Sequence, residues 1–253
     1  MRKFVILLCG LLLASSPAGA SSLPKFQIVT EDWVPYQFYE GSALRGIVVD
    51  LVVELLDRTG STQTRKDIQL LPWARAYRYL QTRENTMLFS MTRSPEREAL
   101  FRWVGPVFKN TTYLIAAKKR NIKISSPDDL QNYQFGTVID DASEMFLLRL
   151  GLNVSQFHRN TRTQSNLKML SLGRLDMIVS GWEAFVSDAT KTGLDPNDYE
   201  LVYTVDVSDV SIAFHRKTPD WIIDKFQQAF DDMKTEGVYE RVFERYRKYV
   251  RDE

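Results

Sequence analysis

The chain has 253 residues, with 33 Lys and Arg against 32 Asp and Glu and a single cysteine, Cys9. A charge this close to neutral argues against nucleic acid or an anionic membrane surface as the partner. One cysteine also excludes an internal disulfide and a metal site built from several thiolates.

The first twenty residues have the order of a secretory signal peptide. Arg2 and Lys3 precede an apolar stretch over residues 4–14, and Ala18 and Ala20 supply the small residues of a cleavage site. The apolar stretch is too short to cross a bilayer as a helix. We therefore predict cleavage after Ala20, which leaves a chain without cysteine and a periplasmic location in a Gram-negative cell.

Strand and helix signals alternate along the first half of the chain, which predicts an α/β fold. Ser94 and Pro95 mark a further helix start, as N-cap and first helical residue. Gly60 follows the end of the first predicted helix. The predicted strands lie at 26–29, 68–71, 87–90 and 112–117, and the predicted helices at 46–58 and 73–81.

The second half repeats the alternation. Asp141 and Glu144 have the spacing of a helix N-terminus close to a capping box. Two helices are expected at the C-terminal end, with Trp221 on the apolar face of the first. The predicted strands lie at 135–139, 177–179 and 210–214, and the other predicted helices at 141–150, 164–172 and 182–191.

Four segments, in this order, carry a resemblance to a known family. They are Trp33-Val34-Pro35-Tyr36, Gly46-Ile47-Val48-Val49-Asp50-Leu51, Ser90-Met91-Thr92-Arg93-Ser94-Pro95-Glu96-Arg97 with the downstream Trp103-Val104-Gly105-Pro106, and Gly173-Arg174-Leu175-Asp176. The chain after the leader resembles the bacterial extracellular solute-binding proteins of family 3, the polar amino-acid type that serves ABC importers.

The resemblance implies a two-lobed periplasmic-binding-protein fold of type II, with a ligand cleft between lobes that are joined by two hinge crossings. It places the first lobe at residues 21–114 and 208–253 and the second at residues 115–207. The crossings are expected near residues 113–115 and 206–210.

The resemblance also implies the binding residues of the first lobe. A guanidinium matches a carboxylate with two parallel hydrogen bonds, and Arg97 stands where the family has its carboxylate-binding arginine. Ser90 and Thr92 would add hydroxyl groups. Trp33, with Tyr36 beside it, either forms an aromatic wall over the ligand or packs in the core.

Trp73 and Arg75 lie near a second contact region of the family. The Pro-Trp-x-Arg-Ala segment that contains them resembles a sub-group of the family. Arg75 is either a second contact for an anion or a surface residue.

The predicted second lobe departs from the family pattern. Amino-acid binders of the family have Gly-Thr or Gly-Ser where this chain has Asp141 and, two residues on, Ser143. Gly181 stands where they have the carboxylate that pairs with the ligand's ammonium group. Glu183, Asp140 or Asp141 would have to supply that carboxylate instead. Trp182 either closes over the ligand or packs its helix.

These residues predict a binding protein that captures a small polar, carboxylate-bearing ligand, an amino acid or related acid, for an inner-membrane ABC permease. We expect a monomer with no cofactor, metal or nucleic acid. One alternative is a sensing or interaction domain without a transport role. The other is a dehydratase-type enzyme on the same scaffold, which is not expected because His158 and His215 are predicted to be exposed and Glu183 or Asp141 would have to act as the base.

Overall fold

The computed structural model describes residues 22–249, so the predicted signal peptide and Cys9 lie outside the described residues. The strands are β1 (Gln27–Thr30), β2 (Phe38–Glu40), β3 (Ala43–Arg45), β4 (Ile68–Leu70), β5 (Thr86–Thr92), β6 (Phe101–Ala117), β7 (Phe135–Val138), β8 (Phe157–Asn160), β9 (Met177–Ser180) and β10 (Tyr199–His215). The α-helices are α1 (Ile47–Arg58), α2 (Trp73–Thr82), α3 (Pro95–Glu98), α4 (Ala142–Arg149), α5 (Thr163–Ser171), α6 (Trp182–Lys191), α7 (Asp220–Thr235) and α8 (Val238–Arg245). Within residues 22–249, no helix has the length and apolar character needed to cross a membrane.

Eight of the strands form one mixed sheet, in the order β4-β1-β5-β10-β6-β9-β7-β8. At one end β1 runs parallel to β4 and β5, and at the other end β7 runs parallel to β8 and β9. The long strands β6 and β10 pair antiparallel in the middle. The predicted α/β fold is therefore confirmed.

The sheet narrows to two strands at its centre. β5 pairs with β10 from Val210 onward, and β9 pairs with β6 from Tyr113 onward. Between these points, residues 109–112 of β6 and 206–209 of β10 pair with each other, and no third strand of the described chain joins them. We call this two-stranded segment the connecting ribbon. Its β10 side lies within the predicted crossing at 206–210, and its β6 side ends just before the predicted 113–115.

Four hydrophobic clusters divide the molecule into two parts. The buried residues of two clusters come from 26–108 and 210–246, and those of the other two come from 114–199. We call the first part lobe one and the second lobe two, joined by the connecting ribbon. This distribution supports the boundaries at 21–114, 115–207 and 208–253, which stay a prediction.

The loop after β1 is fixed to the start of α1. The backbone amide of Val48 donates to the carbonyl of Tyr36 at 2.9 Å. Gly46 has a φ of 132°, and a β-carbon there would lie 2.2 Å from the Tyr36 carbonyl oxygen. Only glycine fits this approach. The aromatic loop that contains Trp33 is thereby held against the core of lobe one.

The structure differs from the prediction in several elements. β6 and β10 are 17 residues each, much longer than the predicted 112–117 and 210–214. The connecting ribbon is mostly polar, because no third strand of the described chain covers it, so the apolar pattern of a buried strand is missing there. The short strands β2, β3 and β8 were not predicted, since three or four residues give little periodicity.

The exposure of two side chains was predicted wrongly. His215 was predicted to be exposed but is 5% exposed at the end of β10, and burial lowers its pKa. Trp221 was predicted in the core but is 41% exposed, because Ile222 and Ile223 take the buried positions at the start of α7.

Candidate functional site

A cavity of about 110 Å³ lies between the two lobes, beside the connecting ribbon. Lobe one, the ribbon and lobe two all contribute to its lining. The lining residues are Glu31, Asp32, Trp33, Trp73, Ser90 and Thr92 from lobe one, Asn110 and Thr112 from the ribbon, and Val138, Asp141, Ala142, Ser143, Phe146, Thr163, Asn166, Ile178, Val179, Ser180, Gly181, Ala184 and Asp188 from lobe two.

The aromatic part of the lobe-one wall is a packed group of three rings. Tyr36 stacks on Phe108 with 3.9 Å between ring centroids, and Trp33 meets Tyr36 edge-on at 4.9 Å. Of the three, Trp33 is the ring that lines the cavity. Trp33 is thus both a wall residue and a partner of the core, whereas Tyr36 supports it from behind. Burial raises the pKa of Tyr36, which therefore stays neutral.

The hydroxyl groups predicted on β5 reach the cavity. Ser90 and Thr92 both line it. Ser90 has a φ of 60°, an uncommon left-handed conformation for a residue other than glycine, and its Oγ donates to Oε1 of Gln37 at 2.7 Å. With its hydrogen given to Gln37, Ser90 offers a ligand acceptor lone pairs.

Arg97 lies behind the cavity wall and is 2% exposed. Its Nη2 donates to the carbonyl oxygen of Asp140 in lobe two at 2.9 Å, and its Nη1 to the carbonyl of Thr92 at 3.4 Å. The guanidinium carbon lies 5.3 Å from the ring of Trp73 and 5.0 Å from that of Tyr77. The predicted carboxylate-binding arginine therefore contacts lobe two instead of lining the cavity.

Trp73 makes the same contact as Arg97. Its Nε1 donates to the carbonyl of Asp140 at 2.8 Å. Asp140 has a φ of 63°. Two donors of lobe one thus converge on one carbonyl of lobe two. We call this arrangement of Trp73, Arg97 and the Asp140 carbonyl the interlobe clamp.

Other contacts join the lobes away from the clamp. Nζ of Lys191 in lobe two lies 3.0 Å from Oδ2 of Asp32 in lobe one. Nε of Arg149 in lobe two lies 3.5 Å from Oε1 of Glu96 in lobe one. Both ion pairs are substantially exposed, so each contributes little to the free energy of closure.

Helix starts form the lobe-two wall. The carboxylate of Asp141 accepts from the amide of Ala142 at 2.6 Å and so caps α4. Ser143, in the first turn of α4, is buried, and its hydroxyl has no partner within the described residues. It is a free hydrogen-bonding group at the cavity.

Gly181 lines the cavity at the start of α6. A β-carbon built on it would lie 3.1 Å from Oδ1 of Asn110 in the connecting ribbon. This approach is close enough that a side chain at 181 would displace Asn110. The ribbon therefore packs closely against the start of α6.

Three other predicted residues lie away from the cavity. Arg75 is exposed and lies in a separate groove with Arg78 and Arg83. Trp182 stacks on Phe185 with 5.3 Å between centroids, inside lobe two. Glu183 is close enough to Tyr36 to raise its pKa but does not line the cavity. The binding roles predicted for the candidate residues stay predictions.

Three carboxylates at the cavity were missed from the sequence. Glu31, Asp32 and Asp188 join Asp141 around it. Burial raises the pKa of Glu31 well above its ordinary value, and Asp141, Asp188 and Asp32 raise it further, whereas Arg97 opposes them. The cavity is therefore an environment that disfavours further negative charge.

Sequence position gave a signal for each missed carboxylate. Glu31 and Asp32 follow β1 directly, at the end of a parallel strand, where ligands of α/β folds bind. Asp188 is seven residues after Gly181 and thus on the same face of α6. Burial raises the pKa of Asp188, while Lys191 and a hydrogen bond from Gln164 lower it. Within residues 22–249, no three acidic, histidine or cysteine side chains are placed to hold a metal ion.

Comparison with known proteins shows what the chain is similar to. Residues 27–249 match the family described as bacterial extracellular solute-binding proteins, family 3. A Campylobacter jejuni protein named probable histidine-binding protein is 25% identical over 225 residues, which cover 85% of this chain and 81% of that protein.

Solved structures share the fold at lower identity. An ancestral arginine-binding protein bound to arginine has a TM-score of 0.73 at 19% identity, covering 87% of this chain and 97% of that one. A histidine kinase sensor domain with similarity to periplasmic binding proteins has a TM-score of 0.76 at 15% identity, covering 88% and 95%. These likenesses confirm the two-lobed fold of type II.

Proposed function

Because the chain belongs to the bacterial extracellular solute-binding proteins of family 3, we propose that it captures a small amino-acid-type ligand with a positively charged nitrogen between its lobes. The observation that carries the proposal is the charge of the cavity. Four carboxylates line it, and Glu31 and Asp141 form no ion pair within the described residues. An enclosed site with unpaired carboxylates attracts a cation.

The aromatic wall supports the same ligand class. The ring of Trp33 faces the cavity, and the negative face of an indole attracts a cation. Ser90, whose hydroxyl donates to Gln37, offers a ligand an acceptor, which suits an ammonium or guanidinium donor. The names of the Campylobacter relative and the ancestral protein refer to histidine and arginine, whose side chains carry or can take up a positive charge.

We propose that the chain delivers the captured ligand from the periplasm to an ABC permease in the inner membrane. Both lobes contribute to the cavity, so a bound ligand stabilises the closed form through contacts that the open form lacks. A permease can recognise that form. The sensing alternative shares this mechanism and differs only in the membrane partner.

The binding proposal is tested by calorimetric titration of the secreted chain with arginine, lysine, histidine, glutamine and glutamate. We expect binding of one or more cationic ligands and none of glutamate. The variant Glu31→Gln should weaken that binding by about 10–100-fold, because a charge-assisted hydrogen bond becomes a neutral one.

The matched control is Glu183→Gln, which removes a carboxylate that does not line the cavity and should leave affinity unchanged. Tight binding of glutamate alone would overturn the proposal. Deletion of the gene separates the two roles: loss of ligand uptake supports the permease, whereas unchanged uptake with loss of a transcriptional response supports sensing.

A further inference from the structure

A second groove adjoins the cavity between the lobes, and we call it the outer groove. Its volume is about 290 Å³. Lobe one lines it with residues 70–73, at and after the end of β4, and lobe two with residues 161–164, between β8 and the start of α5. Ligands of α/β folds bind beyond strand ends of this kind.

The cavity and the outer groove meet at three carboxylates. Glu31, Asp32 and Asp188 line both spaces. Asp188 is held at this junction by Gln164 of the outer groove, whose Nε2 donates to Oδ1 of Asp188 at 3.1 Å. A ligand cation that binds these carboxylates therefore stands at the junction, and any group beyond that cation enters the outer groove.

The volumes favour a ligand that uses both spaces. The cavity alone has about 110 Å³, whereas pockets for small ligands commonly have about 300–1,000 Å³. The outer groove supplies additional space in direct continuation of the junction. A ligand in both spaces also contacts both lobes over a longer surface, which stabilises the closed form.

The walls of the outer groove differ in chemistry. On the lobe-one side Leu70 and Leu71 are half-buried. On the lobe-two side Arg162 is exposed and forms no ion pair with another described residue. A guanidinium offers a carboxylate parallel donors. The groove therefore suits a short carbon chain that carries a carboxylate.

We propose that the outer groove binds an acidic extension of the ligand, so that the ligand is an amino acid whose side-chain amine or guanidine carries a further carboxylate-bearing group. Its amino-acid end lies in the cavity, its cationic nitrogen at the junction and its extension beside Arg162. This inference rests on the proposed function and names the ligand class.

Pairs of ligands that differ only in the extension test the inference. Saccharopine is lysine with a glutarate unit on the side-chain nitrogen, and argininosuccinate is arginine with a succinate unit on the guanidine. Both keep the amino-acid end and the cationic nitrogen. In calorimetric titration of the secreted chain, we expect the extended member of at least one pair to bind at least about threefold tighter than its free amino acid.

A smaller preference in both pairs would overturn the inference. If lysine or arginine still binds, the proposed function stands. Absence of binding by both members of both pairs would overturn the inference and count against the proposed function as well.

The variant Arg162→Ala tests the acidic end of the extension. The Arg162 side chain does not cap α5, so the helix should stay intact. We expect the affinity for the extended ligand to fall about three- to tenfold, while that for the free amino acid is unchanged. Arg162→Lys keeps the positive charge and should recover part of the loss.

Arg174→Ala is the matched control. Arg174 is an exposed arginine of lobe two that lines neither the cavity nor the outer groove. Its removal should leave both affinities unchanged. An equal loss for the extended ligand and the free amino acid in Arg162→Ala, or no loss for the extended ligand, would contradict the inference.

Discussion

The two lobes build their walls of the cavity from different parts of the α/β fold. Lobe one uses the ends of parallel strands: Glu31, Asp32 and Trp33 follow β1, and Ser90 and Thr92 lie at the end of β5. Lobe two uses the starts of its helices α4, α5 and α6, together with the end of β9.

The two walls also differ in the groups that they bring to the cavity. The residues of lobe one include Glu31, whose environment disfavours its charge, and the aromatic wall of Trp33. Lobe two adds Asp141 and the unpartnered hydroxyl of Ser143, and it presents the Asp140 carbonyl to the interlobe clamp. Under the proposed function, lobe one would recognise the ligand's cation, and lobe two would complete the site while being held in place by lobe one.

The largest expected effect comes from breaking the clamp. Arg97→Ala removes a buried, charged donor to the Asp140 carbonyl. We expect the affinities for arginine and agmatine to fall by the same factor, about 10–100-fold, because closure is weakened whatever the ligand carries. Calorimetric titration measures both.

Arg75→Ala is the matched control for this experiment. Arg75 is an exposed arginine two residues after Trp73 and does not line the cavity. Its removal should leave both affinities unchanged. A loss for arginine with none for agmatine would show that Arg97 reaches the ligand carboxylate and would assign recognition to it.

A smaller effect is expected from Glu31 in the ligand-free protein. Its pKa is raised above the ordinary 4.5, first by burial and then by Asp141, Asp188 and Asp32, so the folded chain holds this proton more tightly than the unfolded chain. Stability therefore falls as the pH rises from the ordinary value through the raised one. Glu31→Gln lacks this loss.

Thermal melting at two pH values checks the expectation. At about pH 8, well above the ordinary carboxyl pKa, the variant should melt at a higher temperature than the wild type. The two melting temperatures should converge near pH 4.5. A difference of the same size at both pH values would show that Glu31 stays ionised in the folded protein. Glu183→Gln serves again as the control.

The smallest effect is expected from the exposed ion pair between Arg149 of lobe two and Glu96 of lobe one. Arg149→Ala should weaken ligand binding by at most about fivefold, the equivalent of about 1 kcal/mol, and high salt should abolish the difference. Arg120→Ala removes an ion pair with Asp176 inside lobe two and should leave affinity unchanged. A large effect of Arg149→Ala that persists in salt would make this pair part of the clamp.

Much of the fold could be predicted from the sequence. The apolar face of α1 and the alternation of strands and helices gave the architecture, and α6 begins and ends at the predicted residues. The long strands β6 and β10 were predicted only in part. Where β6 and β10 cross between the lobes, no third strand of the described chain pairs with them, so apolar residues are not required there.

The site was less predictable, for a physical reason that Arg97 illustrates. Its motif gives the position in the chain, yet its partner is a carbonyl of the other lobe, 43 residues away in sequence. Contacts of this kind depend on how the lobes close, which no local pattern records. Gly181 could be recognised as a departure from the family, but the close approach of Asn110 to it could not.

The connecting ribbon determines how the cleft can open. Two antiparallel strands share hydrogen bonds that resist sliding of one past the other, while a ribbon of only two strands twists readily. Interruptions of the pairing register flank it, between Thr204 and Asp206 on one side and between Val210 and Ile212 on the other. Such irregularities increase local twist. We therefore expect the junction to act as a torsional element, about which the lobes rotate while the ribbon keeps its length.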